Sequence, residues 1–406
     1  MTNLLRTSAF EKDAIISGVG LSKVGRRTGI PSLALTADAA RQAIDDAGLE
    51  PSDIDGVATL GDTSALEAMT HLGIAGGDYS DEFLTGGVIN PVMSALSAVG
   101  CGKARHILVY RTVQMLGGAM TGGAPSAPKP TVLKSPPIEP RTPGSRRQIG
   151  ANDDIDELLS ARAYSAANWV ALHCQRHMHE YGTTKEHLGW LAIGTRRHAG
   201  RNPAALYQQP MTMDDYLNAR PISTPFGLFD CDVPVDGSVA LVVSHRSHAA
   251  ECPHPAVAVE AVGGSYGSGG WIHRTDYPRM ASTDAAEQMW SRTDLKPADV
   301  QVAELYDGFT FLVLAWLEAL GFCGEGESGP YVEGAQRISL DGMLPLNTYG
   351  GQLSAGRMHG YWLIHEAILQ LRGEAGDRQV SPRPQVGVAA AGGGPIAGCL
   401  LLTCRR

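Results

Sequence analysis

Three short segments carry residue types that could do chemistry. The first is Tyr306-Asp307-Gly308-Phe309, at the end of the apolar run Val300 to Leu305. A polar pair at the C-terminal end of a strand is where open α/β sheets place ligands. The second is the glycine-rich run Asn347 to Gly360, which holds Tyr349, Gly351, Gly356, Arg357 and His359. It leads into a helix with Tyr361, Ile364, Ile368 and Leu371 on its buried face, stopped by Gly373. Glycines ahead of a helix let a ligand approach backbone N–H groups, and the dipole there favours negative charge. The third is Gly392-Gly393-Gly394-Pro395, a turn between two apolar runs. A tyrosine hydroxyl donates to an oxyanion or, as phenolate, acts as a base. Its free pKa is about 10, so a base near neutrality needs a shift of a few units. A helix N-terminus or a nearby cation supplies such a shift. The candidate catalytic residues are therefore Tyr306 and Tyr349, with His359 as donor or proton relay. Asp307 is a further candidate acid or base that also suits a turn or a helix N-cap. Tyr266, just past another strand, is a lesser candidate.

Two other readings fail on spacing. Cys174, His177 and His179 fall on a helix where the two histidines face different ways, so no metal site is expected. Gly392 to Gly394 is not followed by the Lys-Ser/Thr of a phosphate-binding loop.

The elements that must position these residues alternate. Ile15 to Val19 reads as a strand, and Leu33, Ala37, Ala40, Ile44 and Ala47 form one face of a helix stopped by Gly48. Gly56 to Leu60 is a second strand, Pro91 to Val99 a helix, and His106 to Tyr110 a buried strand. Residues 155–200 read as amphipathic helices, and Gly237 to Ser244 as a further strand. The alternation predicts an α/β protein with parallel pairing. Residues 117–150 differ: Gly, Pro, Ser and Thr dominate, with Lys129, Lys134, Arg141, Arg146 and Arg147 and no apolar period. This is a long excursion, solvated or facing an anionic ligand.

An internal repeat organises the whole. Asp38-Ala39-Ala40-Arg41-Gln42 matches Asp284-Ala285-Ala286-Glu287-Gln288, and Leu49-Glu50-Pro51-Ser52-Asp53-Ile54 matches Leu295-Lys296-Pro297-Ala298-Asp299-Val300. Both matches share one offset, 246 residues, with no gap between them. The chain reads as two similar α/β halves, 1–250 and 251–406, with the excursion and helical region 117–200 in the first.

Composition bounds the function. The 406 residues suffice for two core-bearing halves. With 33 Lys and Arg against 42 Asp and Glu, the net charge of -9 argues against nucleic-acid binding. Met1 to Asp13 shows no apolar signal region. The charge-free stretch Val386 to Cys404 is split by Gly392 to Pro395 into a strand–turn–strand, so no membrane insertion is expected. Seven cysteines without metal spacing point to reduced thiols in the cytoplasm.

The repeat, the Tyr306 to Phe309 turn followed by Leu320-Gly321-Phe322-Cys323, the Asn347 to Gly360 run and the Gly392 to Gly394 turn together resemble the thiolase superfamily, in its sterol-carrier-protein-x and lipid-transfer-protein branch. The resemblance covers nearly the whole chain. It implies a five-layer αβαβα sandwich with two five-stranded sheets around central helices. The departures from the family pattern decide the chemistry. The thiolase nucleophile would fall near Thr85 to Gly87, where there is no Cys. The second thiolase Cys would be Ala390, the His of Gly-His-Pro would be Arg357, with His359 two residues on, and the Asn or His of the third motif is Tyr306. Without either thiol, a covalent acyl-enzyme by the Cys route is not available.

This pattern is similar to the steroid side-chain-cleaving aldolases of the superfamily. Such a resemblance implies retro-aldol cleavage of a β-hydroxyacyl-CoA to a 17-ketosteroid and propionyl-CoA, with no cofactor beyond the CoA of the substrate. Gly351, Gly356, Arg357, Gly393, Gly394 and Tyr266 are then the candidate substrate- and CoA-binding residues. A homodimer flanked by DUF35-domain (OB-fold) partner chains is implied as well. An acyltransferase of thiolase type and a non-catalytic acyl-CoA or lipid-binding protein are the alternatives.

Overall fold

The computed structural model describes residues 9–75, 77, 79–83, 88–115, 154–266 and 269–404. The expected nucleophile position, Thr85 to Gly87, and the whole basic excursion at 117–150 lie outside the described residues. In the first half, β1 (Ala14–Leu21) leads to α1 (Ser32–Asp46), β2 (Gly56–Leu60), α2 (Ala65–Leu72), β3 (Tyr79–Phe83), α3 (Asn90–Gly100) and β4 (His106–Gln114). A helical region follows: α4 (Ile155–Ser160), α5 (Ala166–Tyr181), α6 (Lys185–Ala199), α7 (Met213–Leu217) and the small hairpin β5 (Pro221–Ser223) and β6 (Phe226–Gly227). Then β7 (Asp236–His245) ends the half. The second half comprises β8 (Val257–Tyr266), α8 (Ala281–Trp290), β9 (Val302–Leu305), α9 (Thr310–Ala319), α10 (Ser328–Val332), α11 (Tyr361–Arg372), β10 (Val386–Gly393) and β11 (Ile396–Thr403).

The strands are ordered β3-β2-β4-β7-β1-β8-β11-β10-β9. The two halves are mirrored about the β1–β8 pair, which is joined over only two residue positions, Ile15 with Ala258 and Ile16 with Val257. The expectation of parallel pairing needs correcting. Only β2–β3, β2–β4 and β9–β10 are parallel, because β7 and β11 each return beside the preceding strand of their half. The second half also has four strands rather than five. Where the first half has β3, the second has a single bridge from Ala303 to Leu346.

Alternate residues along each strand enter different cores, as a two-sided sheet requires. Ile107 and Val109 of β4 join an inner cluster with α3 and α11, while Leu108 and Tyr110 pack with α1. In β11, Leu400 and Leu402 face inward, and Cys399 and Leu401 face α8 and α9. The two expected sheets are thus the halves of one continuous nine-stranded sheet, with α3 and α11 between them and α1, α8 and α9 on the outer faces, giving five layers. The repeated Leu-x-Pro-x-Asp segments form the same 3-10 turn twice. Asp53 accepts from the N–H of Glu50 at 2.8 Å, and Asp299 from that of Lys296 at 2.8 Å. On this correspondence we propose a boundary near residue 250, in the turn Arg246–Ala250 between β7 and β8.

The missing fifth strand is replaced by side-chain hydrogen bonds. Asn347, at φ 49°, pairs its amide with both backbone groups of Leu305, at 2.7 and 2.8 Å. Thr348 Oγ1 lies 2.7 Å from Glu304 and 2.9 Å from Glu366, both fully buried. One hydroxyl carries one proton and cannot donate to both. Glu366 is paired with Arg378 at 3.0 Å, so the extra proton belongs to Glu304. Burial and the Glu366 charge raise the Glu304 carboxyl well above its ordinary range. A group raised in the folded state contributes stability below its unfolded pKa and loses it as pH rises through the folded value. Glu304→Gln is therefore expected to flatten the decline of thermal stability on the alkaline side, a difference of about 1–2 °C per kcal/mol for a chain this large. Melting curves between pH 5 and about 9 measure it; parallel slopes for the two proteins would contradict the protonated Glu304.

Candidate active site

The polar pair after β9 splits into two roles. Asp307 is fully buried, and its carboxylate accepts from the backbone N–H of Gln352 at 2.9 Å and of Leu353 at 3.3 Å. These N–H groups were expected to receive a ligand; the chain's own carboxylate fills them. Burial, opposed by those hydrogen bonds, pushes Asp307 up to about 7. It thereby caps the turn Gly351–Ala355. Gly351 is required by the same contact: its φ is 62°, and a Cβ would stand 1.9 Å from Asp307 Oδ2. Tyr306 keeps a partly exposed ring. Burial raises its phenol first, then the Asp232 charge, against the pull of Arg357. A phenol pushed up in this way stays protonated in the resting site and offers a hydrogen bond there.

His359 sits one residue before Gly360 at the entry to α11, with φ 49°. The left-handed conformation costs a non-glycine residue about 1–2 kcal/mol, so the surroundings must hold it there. Arg111, from the middle of β4, does so: its Nε lies 3.1 Å and its Nη2 2.7 Å from His359 Nδ1. A guanidinium only donates, so Nδ1 must be the unprotonated nitrogen and Nε2 carries the hydrogen. Burial, with the Arg111 and Arg357 charges, keeps the imidazole well below its usual range. His359 is thus a neutral ring that offers one N–H and cannot take a proton through Nε2.

Two further tyrosines are fully buried in the inner core. Tyr349 is stacked on Trp362 with centroids 5.0 Å apart, and its hydroxyl has no hydrogen-bond partner among the described residues. Tyr361 begins α11 beside His359; its hydroxyl is also buried, without a partner among the described residues, and Arg111 is the charge that acts on it. An unpartnered phenol next to a guanidinium is poised to donate to a developing oxyanion. Tyr361→Phe is expected to lower kcat by about 10-fold, and Tyr349→Phe by less than about threefold. Neither should cost stability, because each removes a hydroxyl that makes no hydrogen bond. Equal losses in steady-state kinetics would return Tyr349 to the site.

The other sequence candidates are reassigned by packing. A Cβ at Gly356 would meet Val235 at 2.7 Å, one at Gly393 would meet Leu312 at 2.7 Å, and one at Gly394 would meet the Trp271 ring at 2.3 Å. At these positions the chain's own side chains pack where a Cβ would stand. Tyr266 stands 63% exposed at the end of β8, opposite Ile396. Arg357 does lie in the cluster, with Nη1 3.4 Å from Asp232. Cys174 is buried, and His177 is bonded to Thr183 and Glu318 at 2.9 and 3.0 Å, with no metal-like grouping among the described residues. Ala390 is buried opposite Leu305.

Arg111, Tyr361 and Asp232 lie beside the sequence candidates without having been among them. Arg111 had a signal: a charged residue inside the apolar run His106 to Val113 is rarely there for packing. Asp232 had a weaker one, as the second acid flanking Cys231. That thiol donates to the Gly227 carbonyl at 3.6 Å, and burial with the Asp230 and Asp232 charges pushes it up to about 12. It is held as a thiol, not a thiolate nucleophile.

Residues 267–400 match the family of thiolase C-terminal domain-like sequences. The chain is 35% identical over 401 residues to a steroid side-chain-cleaving aldolase of Thermomonospora curvata, covering 96% of this chain and 97% of that one. It is 32% identical over 401 residues to the 17-hydroxy-3-oxo-4-pregnene-20-carboxyl-CoA lyase of Mycobacterium tuberculosis, covering 96% and 98%. Among solved structures, the Ltp2-ChsH2(DUF35) aldolase superposes with a TM-score of 0.86 at 32% identity, over 98% of this chain and 100% of that one.

Proposed function

The chain belongs to the steroid side-chain-cleaving aldolases of the thiolase superfamily, and from that membership we propose that it is a carbon–carbon lyase acting on a steroid side-chain CoA thioester. The substrate is a tertiary β-hydroxyacyl-CoA, and the products are a 17-ketosteroid and propionyl-CoA. The observation that carries the reading is the Arg111–His359 pair: it fixes a neutral imidazole as a donor at a place where no thiolate is available.

The step follows from the groups present. The β-hydroxyl loses its proton, its electron pair forms the ketone, and the carbon–carbon bond breaks into a thioester enolate. The enolate oxygen carries the developing charge. His359 Nε2–H and the Tyr306 and Tyr361 hydroxyls are the donors that can hold it, each a fixed dipole in a largely buried site. Protonation of the enolate carbon completes the reaction. CoA enters as part of the substrate, and the proposed step draws on no other cofactor.

Two assembly features accompany the reading. The solved relative is a complex with a DUF35 chain, and we assign this chain a DUF35-type partner by that likeness. A homodimer is supported by β3, which among the described residues pairs with β2 alone at the end of the sheet. Among the described residues no helix is long and apolar enough to cross a membrane. All seven cysteines are free, as suits the cytoplasm.

Incubating the chain and its DUF35 partner with a tertiary 17-hydroxy steroid 20-carboxyl-CoA tests the function. Equal amounts of 17-ketone and propionyl-CoA are expected. An intact substrate, or release of free acid by thioester hydrolysis, would contradict it.

A further inference from the structure

A buried cation normally has a counter-charge beside it, because leaving it unpaired away from water is costly. Arg196, near the C-terminal end of α6, is an exception. It is 7% exposed, and no carboxylate pairs with it among the described residues. Its Nε donates to Ser354 Oγ at 2.7 Å. Two rings flank the guanidinium, with its carbon 5.2 Å from the Tyr207 centroid and 5.5 Å from the Phe229 centroid. Tyr207 is itself fixed, since its N–H donates to the Ser354 carbonyl at 2.9 Å. One edge of the fork is thus pinned between rings, while its two Nη atoms make no hydrogen bond among the described residues.

A second guanidinium converges on the same place. Arg26 Nη1 lies 3.2 Å from the Tyr207 hydroxyl. Its loop is tied to the start of β7, where Thr28 donates through its N–H and its Oγ1 to Asp236 Oδ2 at 2.8 and 3.2 Å. Lys23, Arg26 and Arg27 of this loop are exposed and enter no ion pair among the described residues. Arg357, the cation nearest in sequence to Ser354, is engaged by Asp232 at 3.4 Å and is not of this kind. A chain of net charge -9 therefore holds unpaired positive charge on both sides of Tyr207. A preset fork with two open N–H edges suits the oxygens of a phosphoryl group.

We propose that Arg196 and Arg26 bind a phosphoryl group of the substrate's CoA moiety and so select a CoA thioester over the same acyl group carried on pantetheine. The assignment rests on the acyl-CoA lyase reading and names a recognition element of that site. Ser354, to which Arg196 is bonded, precedes His359 by five residues, so the two lie at most about 18 Å apart. An extended pantetheine arm, which separates the thioester of CoA from its pyrophosphate, covers a distance of that order. The thioester can thus meet the His359 donor while a phosphate meets the Arg196 fork.

The test uses the complex with its DUF35 partner as wild type, Arg196→Gln and Arg26→Gln. Calorimetric titration with CoA, 3′-dephospho-CoA and inorganic phosphate reads the anion, and KM for the CoA and pantetheine thioesters reads the selection. Arg196→Gln is expected to weaken CoA binding about 10- to 100-fold, as for a lost charge-assisted hydrogen bond. Arg26→Gln should lose about 3- to 10-fold and show a shallower dependence on salt, because its charge is exposed. The KM of the CoA thioester should rise by similar factors, and that of the pantetheine thioester should move by less than about threefold. A deficit that persists with 3′-dephospho-CoA assigns the pyrophosphate, and one that vanishes assigns the 3′-phosphate. Equal losses for the CoA and pantetheine thioesters overturn the assignment, as does inorganic phosphate binding as tightly as CoA. Should Arg196→Gln not fold, the exposed Arg26→Gln decides. Binding is read without turnover, so the two failures separate. Wild type that binds CoA in this way but yields no ketone removes the retro-aldol reading, and wild type that yields ketone without preferring the CoA thioester removes this site.

Discussion

Tyr306→Phe is expected to lower kcat/KM by about 10²–10³, the usual loss when one well-aimed oxyanion donor is deleted. The hydroxyl sits at the end of β9, on the one member of the polar pair that keeps an open face, since Asp307 is spent on the backbone of Gln352 and Leu353. Removing it should act on kcat more than on KM, because the charge it holds develops during bond breaking. Stability should change little: the ring still packs against Gly308, where a Cβ would come within 2.7 Å of it. Steady-state kinetics with urea melts in parallel separates the two effects. A variant with near-wild-type turnover would remove Tyr306 from the donors.

Arg111→Lys is the second large effect, an expected loss of about 10²-fold in kcat with about 1–3 kcal/mol of stability from the carbonyl left unsatisfied. Arg111 uses its fork in two directions, to His359 Nδ1 and to the Leu60 carbonyl, and Gly61 lacks a side chain where the guanidinium passes. A lysine has one point of charge and cannot span both partners. His359 would then be free to move its hydrogen to Nδ1, turning its donor away from the enolate. Nitrogen-15 NMR of the imidazole reads the tautomer directly. A single Nε2–H form in wild type and a mixture in the variant is the expected result; an unchanged tautomer with full activity would contradict the role given to Arg111.

Much of the fold was legible because it repeats. The Leu-x-Pro-x-Asp segments announce the same capped turn twice, and the glycine-split run Val386 to Cys404 is indeed the hairpin of β10 and β11. Strand β3 was not legible: Tyr79 to Phe83 includes Ser, Asp and Glu, as suits a half-exposed edge, and carries no apolar run. The mixed direction of the sheet depends on how β7 and β11 return, which local periodicity does not encode. At the site, Tyr306, Arg357 and His359 were visible from their segments. The partner that gives His359 its meaning lies 248 residues away in β4. Glycine-rich context does not encode the inward contacts of such side chains: Asp307 binds the backbone of Gln352 and Leu353, and Tyr349 stacks on Trp362.

The central claim is that this site breaks carbon from carbon by moving protons among fixed donors, with no bond to the enzyme. Intact-protein mass spectrometry of the complex, quenched during turnover, tests it most directly. The account predicts an unmodified chain at every time point while ketone accumulates, with or without added CoA. An acyl adduct on any of the seven cysteines that forms and decays at the rate of turnover would contradict it.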